Sequence, residues 1–147
     1  MTHALTRDDY FTGPDGERRD LAYPQDLTQQ IEAMVQVLLT CINYVLMLMS
    51  ADGVPLVAHP GSGSLLSSGW RPPMVNAATP GAAKTSKHMT GAAADLYDPN
   101  GKLDEWCATH LDALAAAGLW LESPKATVGW CHLQCLAPRS GNREFYP

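Results

Sequence analysis

Basic residues are scarce in this chain: its 147 residues include ten Lys plus Arg against fifteen Asp plus Glu, a formal charge of −5. Nucleic-acid binding needs a concentrated positive surface, and no such footprint can be assembled from so few cations. An anionic membrane surface is disfavoured for the same reason. No Cys-x-x-Cys pair occurs among the four cysteines, which argues against a thiolate zinc finger. Cys131 and Cys135, four residues apart on a predicted strand, would stand about 13 Å apart, too far for a disulfide. Cys41 and Cys107 fall in helical runs, so buried reduced thiols are the expectation. Internal repeats and long low-complexity tracts are missing. The opening residues, Met1 to Tyr10, are polar and acidic and lack the basic stretch and apolar core of a secretory signal. Synthesis in the cytoplasm is therefore expected, and a secreted product would need another route out.

What is present suits one globular domain. A hydrophobic content of 46% over this length supports a single adequate core and would leave two domains cramped. Residues 1–24 read as a polar arm rich in Asp, Arg, Gly and Pro that wraps the surface or meets a partner, with the domain proper over 25–147. Leu27, Ile31, Met34, Val35, Leu38, Ile42, Val45 and Met49 recur at helical spacing and predict a long helix over 25–50. The uncharged run Ala33 to Ala51 could be mistaken for a membrane span, but Gln36, Thr40, Asn43 and Ser50 interrupt it. An amphipathic core helix fits better. Strands are predicted over 65–71, 92–97, 119–122 and 129–135, and a second helix over 103–117 closed by Gly118. The segment 72–85 is a long loop that could border a cleft. These elements give an α+β fold: a small antiparallel sheet packed against the long N-terminal helix and the second helix.

The chemistry is concentrated in Ser86-Lys87-His88-Met89-Thr90-Gly91-Ala92-Ala93-Ala94-Asp95-Leu96 and in Trp130-Cys131-His132-Leu133-Gln134. Two imidazoles and one carboxylate are a ligand set with which proteins hold a catalytic zinc while leaving a fourth position open. On one continuous helix His88 and Asp95 would be about 10 Å apart, too far for a shared metal. A turn followed by a strand removes the difficulty, and Gly91 supplies the break. Strand alternation then sends His132 and Gln134 to one face, and Cys131, Leu133 and Cys135 to the other. His59, within His59-Pro60-Gly61-Ser62-Gly63, is read as a loop residue, and His110 as a surface residue of the second helix.

Ser-x-His-x-x-Gly-x-Ala-x-Asp, the downstream Trp-x-His strand and the upstream Gly69-Trp70-Arg71 together resemble the zinc D-alanyl-D-alanine carboxypeptidase family. That family includes phage peptidoglycan endopeptidases and shares its fold with the Hedgehog amino-terminal signalling domain. The resemblance covers about residues 64–147 and is nearest to a phage-type branch with a Gly-Trp-x-His-Leu-Gln strand. It implies Zn2+ held by His88, Asp95 and His132, with Arg71 facing substrate near the metal and Ser86 hydrogen-bonding it. For Arg71 the plainer reading is a surface arginine paired with an acid, and for Ser86 a turn cap. Several members place a glutamate three residues before the second histidine as general base, and here that position is Gly129. Glu122, otherwise a solvated strand end, is the nearest substitute. The implied activity is hydrolysis of peptidoglycan peptides by a monomer, with other phage proteins as further partners and the cell wall, reached by phage-type release or within a virion, as the place of action. The competing expectation is a non-catalytic, zinc-stabilised wall-binding or virion module.

Overall fold

A computed structural model describes residues 4–147. It opens with two short helices, α1 (Arg7–Phe11) and α2 (Arg19–Ala22), and a 3-10 turn (Pro24–Asp26), before the long helix α3 (Gln29–Ala51). Helix α3 starts four residues later than its apolar stripe suggested. Thr28 caps it, its hydroxyl accepting the Ile31 N–H at 3.1 Å, and Pro24 has already turned the chain. Val35, Leu38, Ile42, Val45 and Met49 of the stripe are fully buried. By length and composition alone α3 could cross a membrane, but this face is built into the core, and Val37, Tyr44 and Met47 remain exposed on the other.

Of the segment expected to be a polar arm, residues 4–24 are described, and α1 anchors them in the core. Thr6 and Asp9 form a reciprocal capping box that starts the helix, and the helix drives Tyr10 and Phe11 into the core with no exposed surface. Phe11 meets Trp70 edge-on at 5.6 Å, and the Tyr10 hydroxyl donates to the Ala93 carbonyl at 2.8 Å. Arg7 bridges Glu32 of α3 and Asp20 of α2, tying the segment down at its surface.

The remaining elements are β1 (Leu66–Ser68), α4 (Pro73–Ala78), a 3-10 turn (Lys87–Thr90), β2 (Ala93–Asp98), α5 (Lys102–Ala108), α6 (Leu111–Ala117), β3 (Trp120–Glu122), β4 (Gly129–Gln134) and β5 (Glu144–Phe145). The five strands form one sheet in the order β1-β2-β4-β3-β5. The sheet is mixed rather than wholly antiparallel, because β5 pairs in parallel with β3, the Leu121 and Ser123 N–H groups donating to the Arg143 and Phe145 carbonyls. The chain tail thus covers an edge that would otherwise present open backbone groups.

The predicted second helix is two helices. At the break the Thr109 hydroxyl bonds back to the Glu105 and Trp106 carbonyls, while the His110 ring stacks on Trp106 with centroids 4.1 Å apart. Side-chain bonds of this kind compete with the helical ladder. The loop expected over 72–85 contains α4, which starts on Pro73 at a position where a missing N–H costs nothing. All four cysteines are free, and the Cys107 and Cys131 sulfurs lie 3.8 Å apart in the core.

Candidate metal centre

Three backbone segments converge on one face of the sheet. Asp95 and His132 are directly opposed partners on β2 and β4, the closest cross-strand relation a sheet offers. His88 arrives from the 3-10 turn that Gly91 ends. Gly91 has φ +80, and a Cβ there would fall 2.8 Å from the Val35 side chain and 3.0 Å from the Ile31 carbonyl. A side chain would therefore be strained in conformation and would collide with α3, so glycine both reverses the chain and lets the turn rest on the long helix.

Ligand-type atoms of His88, Asp95 and His132 all lie within 4.8 Å of one another, and the cluster could hold a metal ion. The hydrogen bonds around it fix which atoms would do so. His88 Nδ1 is 2.8 Å from the Gly69 carbonyl oxygen, which can only accept, so Nδ1 carries the proton and Nε2 presents a lone pair. That Nε2 is 3.2 Å from Asp95 Oδ2. Gln134 is oriented by its own amide, whose Nε2 donates to the Leu136 carbonyl at 2.8 Å, leaving Oε1 to accept from His132 Nε2 at 2.9 Å. The lone pair of His132 is therefore on Nδ1, 2.8 Å from Asp95 Oδ1. With both imidazoles neutral, two nitrogen lone pairs point at two carboxylate oxygens, an arrangement that repels unless a cation lies among them. A shared metal would resolve the repulsion, and the Gly69 carbonyl and Gln134 would be the outer partners that keep the two histidines in the tautomers ligation needs.

Protons are the alternative cation. Burial would push the Asp95 carboxyl up, but His88 and His132 more than offset this and hold it well below the usual carboxylate range. For His132, burial works against the charged ring, yet the hydrogen bond and charge of Asp95 win and raise its pKa. In metal-free protein Asp95 thus contributes stability above about pH 4, lost as pH falls through its lowered value. His132 contributes below about pH 6.5, lost as pH rises through its raised value. A metal must displace the His132 proton, so the increase in melting temperature on adding metal is expected to grow between pH 5 and pH 8. A flat or falling increment would contradict the ligand assignment. Gln134→Leu, which removes the His132 partner while keeping volume, should weaken metal binding roughly 10- to 100-fold in a chelator competition titration.

The cluster opens onto a cavity of about 460 Å3, and Arg71, Ser86 and Glu122 share its lining. Ser86 caps the turn, as the plainer reading expected: its hydroxyl accepts the His88 N–H at 3.2 Å, and it also accepts from Arg71 Nη2 at 3.0 Å. Arg71 is half-buried and forms no ion pair among the described residues. Its Nε is sealed from solvent with no acceptor, and burial pulls its pKa down against the pull of Asp95. Glu122 is half-buried in the cavity wall rather than a solvated strand end. Burial raises its pKa, opposed by His132 and reinforced by Asp95. Gly129 has φ +99, so a glutamate at that position would be strained even though space is open around it.

Among the described residues, His59 and His110 stay outside the cluster. His59 Nδ1 accepts the Gly61 and Ser62 N–H groups and organises its loop, while His110 stacks on Trp106 at the α5–α6 junction. No family model, curated protein or solved structure matches this chain. Gln134 was legible by alternation as a neighbour of His132, whereas the Gly69 carbonyl carried no sequence signal as a partner. The tail also reaches the site: Phe145 lies edge-on to His132 at 6.3 Å, and Pro147 borders the cavity.

Proposed function

We propose that this protein is a zinc-dependent peptidase acting on peptidoglycan peptides, as a D-Ala-D-Ala carboxypeptidase or an endolysin-type endopeptidase. The observation that carries the reading is the convergence of two imidazole lone pairs and one carboxylate on the floor of an open cavity that also holds an unpaired arginine and a second carboxylate. Two nitrogen donors and one oxygen suit zinc, which when bound would polarise a carbonyl and acidify a water.

The protein's own groups supply the rest. Glu122, whose proton affinity is raised by burial, takes a proton from the attacking water and returns it to the departing amine. Arg71, without a carboxylate partner among the described residues and steadied by Ser86, offers its remaining N–H groups to developing negative charge or to a terminal carboxylate. Gly129, at the position where several members of the resembling family carry their base, favours the second reading of a non-catalytic wall-binding or virion module.

Incubating the zinc-loaded protein with peptidoglycan fragments separates the two readings. New amino termini are expected, and Glu122→Gln should reduce their rate by about 10²- to 10⁴-fold with metal content unchanged. A protein with stoichiometric zinc that releases none is the non-catalytic module.

A further inference from the structure

A second arginine opens onto the same cavity, from a part of the chain that the peptidase resemblance does not reach. Arg19, the first residue of α2, is only 7% exposed, yet it lines the cavity together with Gly13, Arg71 and His88. Its guanidinium lies against Gly13: a Cβ there would fall 2.5 Å from Nη2, 2.6 Å from Cζ and 2.8 Å from Nε. Glycine at position 13 is what allows the arginine to occupy this place.

The hydrogen bonding of Arg19 is one-sided. Nη1 donates to Asp15 at 3.2 Å and Glu17 at 2.6 Å, two acids whose side chains are themselves 60% and 44% exposed. Nε and Nη2 have no acceptor among the described residues, and neither is sealed off in the way that Arg71 Nε is. An Nε–Nη2 edge presents two parallel N–H donors, the geometry that takes a carboxylate through paired hydrogen bonds. The acids at the far corner hold the guanidinium in place and are screened by solvent, so they leave that edge free. The side-chain carboxylates that line the cavity are Asp95, committed to the cluster, and Glu122.

We propose that the Nε–Nη2 edge of Arg19 is a carboxylate subsite for a substrate side chain remote from the bond that is cut, making this protein selective for wall peptides that carry a free side carboxylate over their side-amidated forms. The proposal rests on the peptidase reading for the identity of the peptide, while Arg71 and the metal cluster serve the reacting end.

A pair of synthetic wall pentapeptides, identical except for a free or an amidated side carboxylate, tests it with the zinc-loaded protein. Dissociation constants are read by calorimetry, and KM where turnover occurs. The wild type should bind the acid form about tenfold more tightly or better, Arg19→Met should bring the two forms within about twofold, and Arg19→Lys should lose at least about threefold of the preference, because an ammonium cannot offer the paired donors. A wild type indifferent to amidation overturns the subsite, as does a folded Arg19→Met protein that keeps the preference. Should Arg19→Met not fold, an undiminished preference in Arg19→Lys overturns it equally. Cleavage of both peptides without preference defeats the subsite and leaves the peptidase reading intact. An acid preference in binding without cleavage of either does the reverse.

Discussion

His132→Ala is expected to lose bound metal and, with it, the peptide hydrolysis proposed for this site. Removing a ligand would take away more than the roughly 100-fold in affinity that loss of an outer partner costs, because His132 is one of the three side chains that, among the described residues, could hold the ion, and it is itself seated by Gln134. Asp95 would be left with His88 alone, 3.2 Å away, and a two-ligand site does not retain zinc against a modest chelator. The variant should still fold, since the face of β4 that packs into the core is carried by Cys131 and Leu133, both fully buried. Elemental analysis of the purified variant, with circular dichroism as the check on folding, decides the matter. A folded His132→Ala protein with one metal per chain would remove the basis of the site.

The second large effect is on stability. Phe11→Ala should cost about 3–5 kcal/mol, the range for deleting a buried aromatic ring from a packed core. Phe11 has no exposed surface and touches Tyr10 and Trp70 edge-on, at 5.5 and 5.6 Å. For a domain of this size the loss corresponds to a drop on the order of 10–20 °C in melting temperature. Metal binding should weaken as well, because Trp70 lies between the Gly69 carbonyl that holds His88 and the backbone of Arg71, whose N–H donates to the His88 carbonyl at 3.1 Å. Thermal unfolding of the metal-free variant measures the first effect, and chelator competition the second. A Phe11→Ala protein melting within about 2 °C of wild type would mean that α1 rests on the surface.

Where the sequence was misleading, the reason is local. The first 24 residues are polar on average, and averaging hides a five-residue helix with two aromatic residues at its end. The signal that was present, Thr6 and Asp9 in capping-box spacing, is short. Helix α3 had a broad apolar stripe and was legible, apart from its first turn. The α5–α6 break escaped because it depends on the Thr109 hydroxyl and the stacking of His110 on Trp106, neither of which disturbs the apolar period. The parallel pairing of β5 could not be read from a two-residue strand, whose direction is set by where the tail returns.

The sequence by itself determined the α+β class, the long helix, and the residue types and alternation that put His132 and Gln134 on one face of a strand, because periodicity and glycine placement act over a few residues. Only the tertiary structure decided that Asp95 stands opposite His132, that Glu122 and Arg71 face the same cavity, and that Arg19 reaches it from the other end of the chain. Strand register and cavity walls are set by packing between segments far apart in sequence, and no local pattern encodes that.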